Sequence, residues 1–230
     1  GKLSFAASPL PSSQPIQSVA IPSVSSPQSA NKISELTKLE TIISSGFAVG
    51  SASAIEEAKK SVQVLKEIRK CLQEVTGNPS LKDLQKRIRL SLNQISAEKD
   101  QVLSKSRDLL AVIHQVGSSS PSLQVWAMQT IAMSFIAQCD DQISQHSGSA
   151  FAIAAVAVSL AIQVPKFLEI LLANFHEACL MTVPLNLPQD TSKIAPPQRH
   201  QLLGWRGKDD PSGEDSFDTY SKRVAGYLYL

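Results

Sequence analysis

The chain has 230 residues, of which 43% are hydrophobic and 5% aromatic, and its formal net charge is +2. Its length and hydrophobic content allow one or two globular domains with a sizeable core, and the few aromatic residues suit helices packed through Leu, Ile, Val and Ala. This net charge is too small for the overall electrostatic field to indicate nucleic-acid binding.

The three cysteines are Cys71, Cys139 and Cys179, an odd number at wide spacing. This pattern favours a reducing intracellular compartment, and without a CxxC pair a structural zinc site is not expected. The sequence shows neither a secretory hydrophobic region at its start nor a transmembrane stretch. Because it opens at Gly1 and stops at Leu230 within a helical pattern, we expect a fragment of a longer protein.

The first 30 residues are rich in Ser and Pro. Such a segment cannot bury enough apolar surface to offset the entropy lost on ordering, so residues 1–30 are predicted to form a disordered linker. Residues 31–116 show long helical patterns of charged and apolar residues. Their heptad-like spacing lasts only two or three heptads, so we favour helical hairpins in a bundle and keep a self-associating coiled coil as the alternative.

Capping residues predict where the first helices begin and end. Ser34 is the expected N-cap of the first helix, and Gly46 lies just after its end. A second helix is expected from about Ala52 to Val75, with its acidic residues early and its basic residues later, as the helix dipole favours.

The next helical stretch begins at Ser80 and Asp83, which resemble a capping box. Its apolar phase drifts near Ser96 and Ser104, so a break is predicted at one of them. The sequence GSSSPS at 117–122 then predicts a loop that ends the charged half of the chain.

The remaining part, residues 123–230, is more apolar and is predicted to begin with a helix from about Leu123 to Ser147. The uncharged run at 150–164 is apolar on every side, so we expect a helix that is buried all round. A membrane span needs roughly 20 apolar residues, and this run is too short. Pro165 stops the run and begins a second helix of this hairpin.

The end of the chain continues the helical pattern. An irregular connection is predicted at 185–197, a short helix at 198–205, and a last helix capped by Ser216. No stretch of useful length alternates between apolar and polar residues as a strand would. The sequence therefore predicts an all-α fold.

Few residues offer catalytic chemistry. Asp140 and Asp141 are neighbours on a helix and point about 100° apart, so they do not suit an acid–base pair and are predicted to be solvated. His176 and Cys179 have the spacing of a nucleophile–base pair or of two metal ligands, but no second pair completes either site. Phosphate-binding glycine loops and the G-x-S-x-G and H-E-x-x-H motifs are absent. We predict that the chain is not an enzyme.

Three stretches carry a family pattern. Residues 135–184, FIAQCDDQISQHSGSAFAIAAVAVSLAIQVPKFLEILLANFHEACLMTVP, match a helix of the form F-[VI]-x-Q-x-[ED]-x-[QE]-[VI], then AF-x-[IL]-A-x-[VA], then a helix ending in H-x-x-C. Residues 83–110 resemble a D-L-Q-K segment followed by an N/S-Q-I-S element. Residues 202–230 are similar to M-L-G-[YW]-x-x-K-D followed by a segment ending in L-Y. In this order and spacing, these stretches resemble the GLE-one family of nuclear-pore RNA-export mediators.

The resemblance implies a non-enzymatic, HEAT-like or MIF4G-like helical-repeat domain, similar to the middle domain of initiation-factor scaffolds. Family members act at the cytoplasmic face of the nuclear pore, where they stimulate a DEAD-box RNA helicase. In some members inositol hexakisphosphate bridges the two proteins. The resemblance therefore implies a nuclear-pore, nuclear and cytoplasmic location, and mRNA export as the process.

The chain departs from the family at basic positions. Residues that match lysines of fungal members are Met133, Ser134, Ala137, Glu177 and Ala178. Phosphate-rich ligands need several converging cations, because charge-assisted hydrogen bonds supply most of their affinity. The candidate contacts that remain are His176, Lys222 and Arg223, so we predict weak or absent inositol hexakisphosphate binding.

Two functions remain open at this level. The first is a helicase-binding activator of mRNA export. The second is a helical scaffold that docks to an FG-nucleoporin or another pore protein without activating a helicase, with self-association through residues 31–116. Direct nucleic-acid binding is not expected, because no basic stripe with interleaved aromatic residues is present, and membrane binding is not expected either.

Overall fold

The computed structural model describes residues 37–144, 147–190, 192–207, 210 and 213–230. The disordered linker predicted at residues 1–30 and the Ser34 cap lie outside the described residues. The described α-helices are α1 (Lys38–Ser44), α2 (Ala52–Val75), α3 (Leu81–Asn93), α4 (Lys99–Gly117), α5 (Pro121–Gln138), α6 (Ala150–Gln163), α7 (Pro165–Ala178), α8 (Pro196–Leu202) and α9 (Phe217–Tyr229). Short π-helical and 3-10 segments complete them at Cys139–Ile143, Ser147–Ser149 and Leu180–Thr182.

The predicted all-α fold is confirmed. Within the described ranges no strand forms, and the one β-type pairing is an isolated bridge between Val49 and Asn186. The backbone amide of each of these two residues donates to the carbonyl of the other, over 2.9 and 2.8 Å. This bridge fastens the loop before α2 to the loop after α7.

Helix α5 lies at the centre of the fold and packs against α2, α3, α4 and α7. Its Ile131 and Phe135 are fully buried, and the ring of Phe135 lies 6.3 Å from that of Phe167 on α7. The same core contains Ile88 of α3 and Ile113 of α4. Burying such a side chain contributes about 1.5–3 kcal/mol before the opposing entropy is counted.

Residues 31–116 and 123–230, which the sequence analysis treats as separate segments, therefore contribute to one core over their described parts. The apolar stripes of α2, α3 and α4 face α5 or one another. This is the hairpin arrangement that the sequence favoured over a coiled coil, since each stripe already has a partner in the same chain.

A second, smaller apolar cluster lies beside the first. Leu39 and Ile42 of α1 pack there with Ala58 of α2, and with Leu185 and Ile194 of the connection after α7. This cluster holds α1 and the long connection onto the main bundle, and the bridge described above closes one side of it.

The break predicted near Ser96 or Ser104 occurs at the first position, between the end of α3 and the start of α4. The predicted capping box is wrong. Ser80 has helical φ and ψ of −67° and −16°, and its side chain makes no capping bond. Asn78 provides the side-chain cap before this helix instead, because its side-chain oxygen accepts a hydrogen bond from the Ser80 amide over 3.0 Å.

The loop predicted at 117–122 is shorter than expected. Gly117 is the last residue of α4, and Pro121 already occupies the first turn of α5. Proline suits that position, because its fixed φ is helical and its missing N–H would be unpaired there anyway.

Helix α6 is not buried all round, contrary to the prediction. Phe151, Val158 and Ile162 are 83%, 56% and 75% exposed. The helix packs mainly against α4 and α7, so the face formed by these three residues has no neighbour within the described chain. Among the described helices, none has both the length and the hydropathy that crossing a membrane requires.

Candidate functional site

His176, the first predicted anion contact, is in the last turn of α7 and only 4% exposed. Its Nδ1 lies 2.7 Å from the hydroxyl oxygen of Ser61 on α2. Burial lowers the pKa of His176 below its ordinary value of 6.5, and the nearby Glu57 carboxylate only partly opposes this. The imidazole is therefore held neutral, and the pair ties α7 to α2.

The Ser61–His176 contact resembles half of a nucleophilic site, but its surroundings do not suit one. Ser61 is itself only 4% exposed and lies in the interior of α2, where the backbone amides are used by the helix. An acyl-transfer site needs free donors aimed at the developing oxyanion. Within the described chain, no group of three or more His, Cys, Asp or Glu residues is arranged to hold a metal ion.

The buried imidazole gives a pH-dependent stability. A histidine whose pKa is lower in the folded state binds its proton more readily when the chain is unfolded. The contribution of His176 to the free energy of unfolding is therefore fully present above pH 6.5 and is lost as the pH falls below that value. We expect the free energy of unfolding to fall less between pH 7 and pH 5 in His176→Gln than in the unmodified chain. Urea unfolding at the two pH values measures this. His114→Gln, at an exposed position of α4, is the control. An equal fall in the free energy of unfolding between the two pH values in all three proteins would show that His176 is not the group responsible.

Glu177 follows His176 and stands where the family pattern has a lysine. Its two carboxylate oxygens accept the backbone amides of Lys38 and Leu39 over 2.8 and 2.9 Å. Thr37 accepts the amide of Glu40 through its side chain. The unpaired amides at the start of α1 thus receive an intrahelical cap and a carboxylate from a distant helix, which also suits the helix dipole.

We expect Glu177→Ala to destabilise α1 by about 0.5–2 kcal/mol, the range found when a helix cap is lost. Hydrogen exchange should become faster at the amides of α1 and stay unchanged in α5. Glu169→Ala is the matched control, because Glu169 is on the same helix, its side chain is 56% exposed, and it pairs with the exposed Lys166. Unchanged exchange in α1 of the Glu177 variant would show that the carboxylate does not hold this helix.

Lys222 and Arg223 are neighbours on α9 with different environments. Lys222 is exposed, and its ammonium lies 2.7 Å from Asp218 one turn earlier. Arg223 is 6% exposed and donates to the Asp215 carboxylate and, over 3.0 Å, to the carbonyl oxygen of Gly204. The structure therefore does not bring the three predicted anion contacts together on one exposed surface.

Asp140, predicted to be solvated, is half-buried beneath α9. Its carboxylate accepts the Tyr227 hydroxyl and, over 3.1 Å, a guanidinium nitrogen of Arg206. Burial raises the pKa of Asp140, and the hydrogen bond from Tyr227 and the charge of Arg206 oppose the rise. The prediction is correct for Asp141, which is exposed. Sequence spacing gave no signal for Asp140, because its partners are 66 and 87 residues away.

An aromatic stack joins α8 to α9. The ring of Trp205 lies between His200 and Tyr220, with centroid distances of 5.3 and 4.6 Å. The guanidinium of Arg223 lies 5.6 Å from the centroid of the Tyr220 ring. Stacking and the cation–π contact hold the segment before α9 against the bundle.

A groove of about 440 Å³ lies between α2 and α7. Leu168 and Leu172 of α7 line it and are 43% and 40% exposed. On its rim the ammonium of Lys166 pairs with Glu67 and Glu169 over 3.5 and 2.8 Å. An apolar floor with a charged rim is typical of protein-binding surfaces.

A sequence model described as GLE1-like protein matches residues 54–230. The chain belongs to the GLE1-like family. It is 30% identical over 151 residues to the mRNA export factor GLE1 of Dictyostelium discoideum, covering 63% of this chain and 18% of that protein. It is 27% identical over 162 residues to the mouse mRNA export factor GLE1, covering 64% of this chain and 22% of that protein.

The GLE1-like chain thus spans about a fifth of the length of these curated relatives. Its fold is similar to that of one chain in a solved complex, in which a variant of the Saccharomyces cerevisiae Dbp5 C-terminal domain is bound to Gle1 and IP6. The TM-score is 0.61 at 17% identity, over 76% of this chain and 60% of the matched chain. The predicted family and helical fold are both confirmed.

The structure gives the GLE1-like motifs of the last segment a physical role. The Gly204–Trp205 pair supplies the stacked indole and the carbonyl that Arg223 binds. Gly226 lets α9 pack closely on the π-helical turn. The Gly204–Trp205 pair of the motif and the close packing at Gly226 both hold α9 to the bundle.

Proposed function

We propose that this chain is part of a helical domain that binds and stimulates a DEAD-box RNA helicase during mRNA export at the cytoplasmic face of the nuclear pore. The observation that carries the proposal is membership of the GLE1-like family over residues 54–230. The fold match to a complex that contains Gle1, Dbp5 and IP6 supports helicase contact. A rigid bundle with exposed apolar and charged surfaces suits such a role better than catalysis does.

The alternative is a scaffold that docks to an FG-nucleoporin or another pore protein without activating a helicase. Self-association through residues 31–116 belongs to this alternative. The packing does not favour such self-association, because Leu65 and Ile68 of α2 and Leu109 of α4 are buried in the core. The apolar residues a coiled coil would need are already used within the chain.

We further propose that inositol hexakisphosphate binds this chain weakly or not at all. His176 is buried with a lowered pKa, and Arg223 is buried beside Asp215, so of the three candidate contacts only Lys222 reaches solvent. Met133 and Ala137, which match family lysine positions, form an exposed apolar pair one turn apart on α5. A ligand with many phosphates needs several cations that converge.

The experiment is an ATPase assay of the pore-associated DEAD-box helicase with RNA, in the presence of the purified chain, with and without inositol hexakisphosphate. We expect binding to the helicase C-terminal domain and a severalfold stimulation that the inositol phosphate does not change. Binding without stimulation would favour the scaffold, and a folded chain that does neither would overturn the proposal. Micromolar or tighter binding of inositol hexakisphosphate in a calorimetric titration would overturn its second part.

A further inference from the structure

The outer side of α3 carries an unusual concentration of positive charge. Its inner side is buried against α5 and α4 through Ile88 and Leu92, which are 0% and 1% exposed. Four exposed cations occupy eight consecutive positions on the rest of the helix: Lys82, Lys86, Arg87 and Arg89. Asp83 is the only carboxylate on this helix.

These cations are not neutralised by the fold. Among the described residues, Lys82, Lys86 and Arg89 form no ion pair. Several lysines elsewhere are paired: on α2, for example, Lys60 pairs with Glu57 over 3.4 Å. Unpaired like charges on one helix repel one another, so an anionic partner would relieve a cost that the free protein carries.

The spacing turns three of these cations into a stripe. Lys82, Lys86 and Arg89 are related by i, i+4 and i+7, so they lie on one face and span about 10 Å along the helix. Arg87 points to the side of α4, where its guanidinium lies 3.5 Å from the side-chain oxygen of Gln115.

A partly apolar groove adjoins this stripe. Helices α3 and α4 leave a shallow cavity of about 370 Å³ between them, and Leu90, Ala111 and Val112 form its apolar part. Arg87, Ser91, Gln94 and Asp108 form its polar part, and the Asp108 carboxylate is paired with Lys105 over 3.5 Å. Leu90 is 51% exposed and lies one turn after Lys86 on the same side of α3. The surface therefore offers several cations beside one exposed apolar anchor point.

We infer that this surface, the α3 stripe with the groove at Leu90, docks an acidic protein segment that bears an apolar side chain. The carboxylates of such a segment pair with Lys82, Lys86 and Arg89, and its apolar side chain enters the groove. RNA fits less well, because residues 81–117 contain no Phe, Tyr or Trp on which bases could stack, and the exposed Leu90 in the groove offers a phosphate backbone no hydrogen bond. The inference goes beyond the helicase role and does not depend on it.

The test is fluorescence anisotropy of the intact chain with three labelled probes: a synthetic peptide of Glu-Glu-Leu-Glu repeats, poly-glutamate of the same length, and oligouridylate RNA. We expect the Glu–Leu peptide to bind most tightly, and added NaCl to weaken its binding. The triple variant Lys82→Gln, Lys86→Gln, Arg89→Gln should lose about tenfold in affinity, because each exposed ion pair contributes a factor of about 1.4 to 5 and three such factors multiply to roughly 3- to 100-fold.

The control variant removes the same charge elsewhere: Lys59→Gln, Lys70→Gln, Lys193→Gln, all at exposed positions outside the stripe. Its affinity for the peptide should stay within about twofold of the unmodified chain. Leu90→Ser should weaken the Glu–Leu peptide and leave poly-glutamate unchanged. Equal losses in the two triple variants, no peptide binding, or RNA binding tighter than peptide binding would each overturn the inference.

Discussion

Asp215→Ala is expected to destabilise the chain by about 3–5 kcal/mol, the range found when one partner of a buried ion pair is removed. The Asp215 and Arg223 side chains are only 2% and 7% exposed. The carboxylate also accepts the backbone amide of Arg206 over 2.8 Å. Its loss would leave a buried guanidinium without its counter-ion and an amide without its acceptor, and both are costly.

Urea unfolding of the chain measures this effect, and the same helix supplies the control. Lys222 also pairs with an aspartate, but its side chain is 62% exposed and that of Asp218 is 74% exposed. An exposed pair of this kind contributes about 0.3–0.5 kcal/mol, so Lys222→Ala should change the unfolding midpoint little. An Asp215→Ala free energy of unfolding within about 1 kcal/mol of the unmodified chain would show that water or another group replaces the carboxylate.

A third variant, Arg223→Ala, separates two roles for Arg223. A ligand-binding arginine is expected to be exposed and to leave stability nearly unchanged when it is replaced. Arg223 instead fastens the connection between α8 and α9 to α9, since it contacts the carbonyl of Gly204 and the carboxylate of Asp215 in that connection, and the ring of Tyr220 on its own helix. We therefore expect Arg223→Ala to resemble Asp215→Ala in its cost. That result would support a structural role.

Local signals in the sequence predicted the helices well. The stripe and charge pattern of α2 predicted a helix from about Ala52 to Val75, and the structure has those ends. Gly46 was placed just after the end of the first helix, and it has the positive φ, 69°, that such a position needs. Each of these signals lies within a few residues of the feature that it predicts.

Features that depend on distant residues were not predicted. Glu177 was interpreted from the sequence as a lost lysine, but it caps a helix 138 and 139 residues away. Asp140 was predicted to be solvated, because the residues near it in the sequence give no indication of its partner Tyr227, which is 87 residues away. Helix α6 was predicted to be buried because apolar periodicity reports how apolar a face is and not which faces other helices cover.

Gly226→Ala is expected to be destabilising even though alanine normally favours a helix interior over glycine by about 1 kcal/mol. A Cβ added at Gly226 would lie 2.5 Å from the carbonyl oxygen of Cys139 and 3.3 Å from the amide nitrogen of Ser144. Both atoms belong to the backbone of the π-helical turn and cannot rotate away. Overpacking of this kind costs about 1–3 kcal/mol, and here it is opposed by the gain in helix propensity.

The sign of the Gly226→Ala effect therefore tests how closely α9 packs on the π-helical turn. Gly207→Ala is the control, because no atom lies within 4 Å of a Cβ placed there, and it should be nearly neutral in thermal unfolding. Moving α9 outward would also separate Tyr227 from Asp140 and from the ring of Phe175, whose centroid is 6.4 Å away. We expect a lower midpoint together with a changed near-ultraviolet circular dichroism signal. A higher midpoint with an unchanged signal would mean that α9 and the turn do not make this contact.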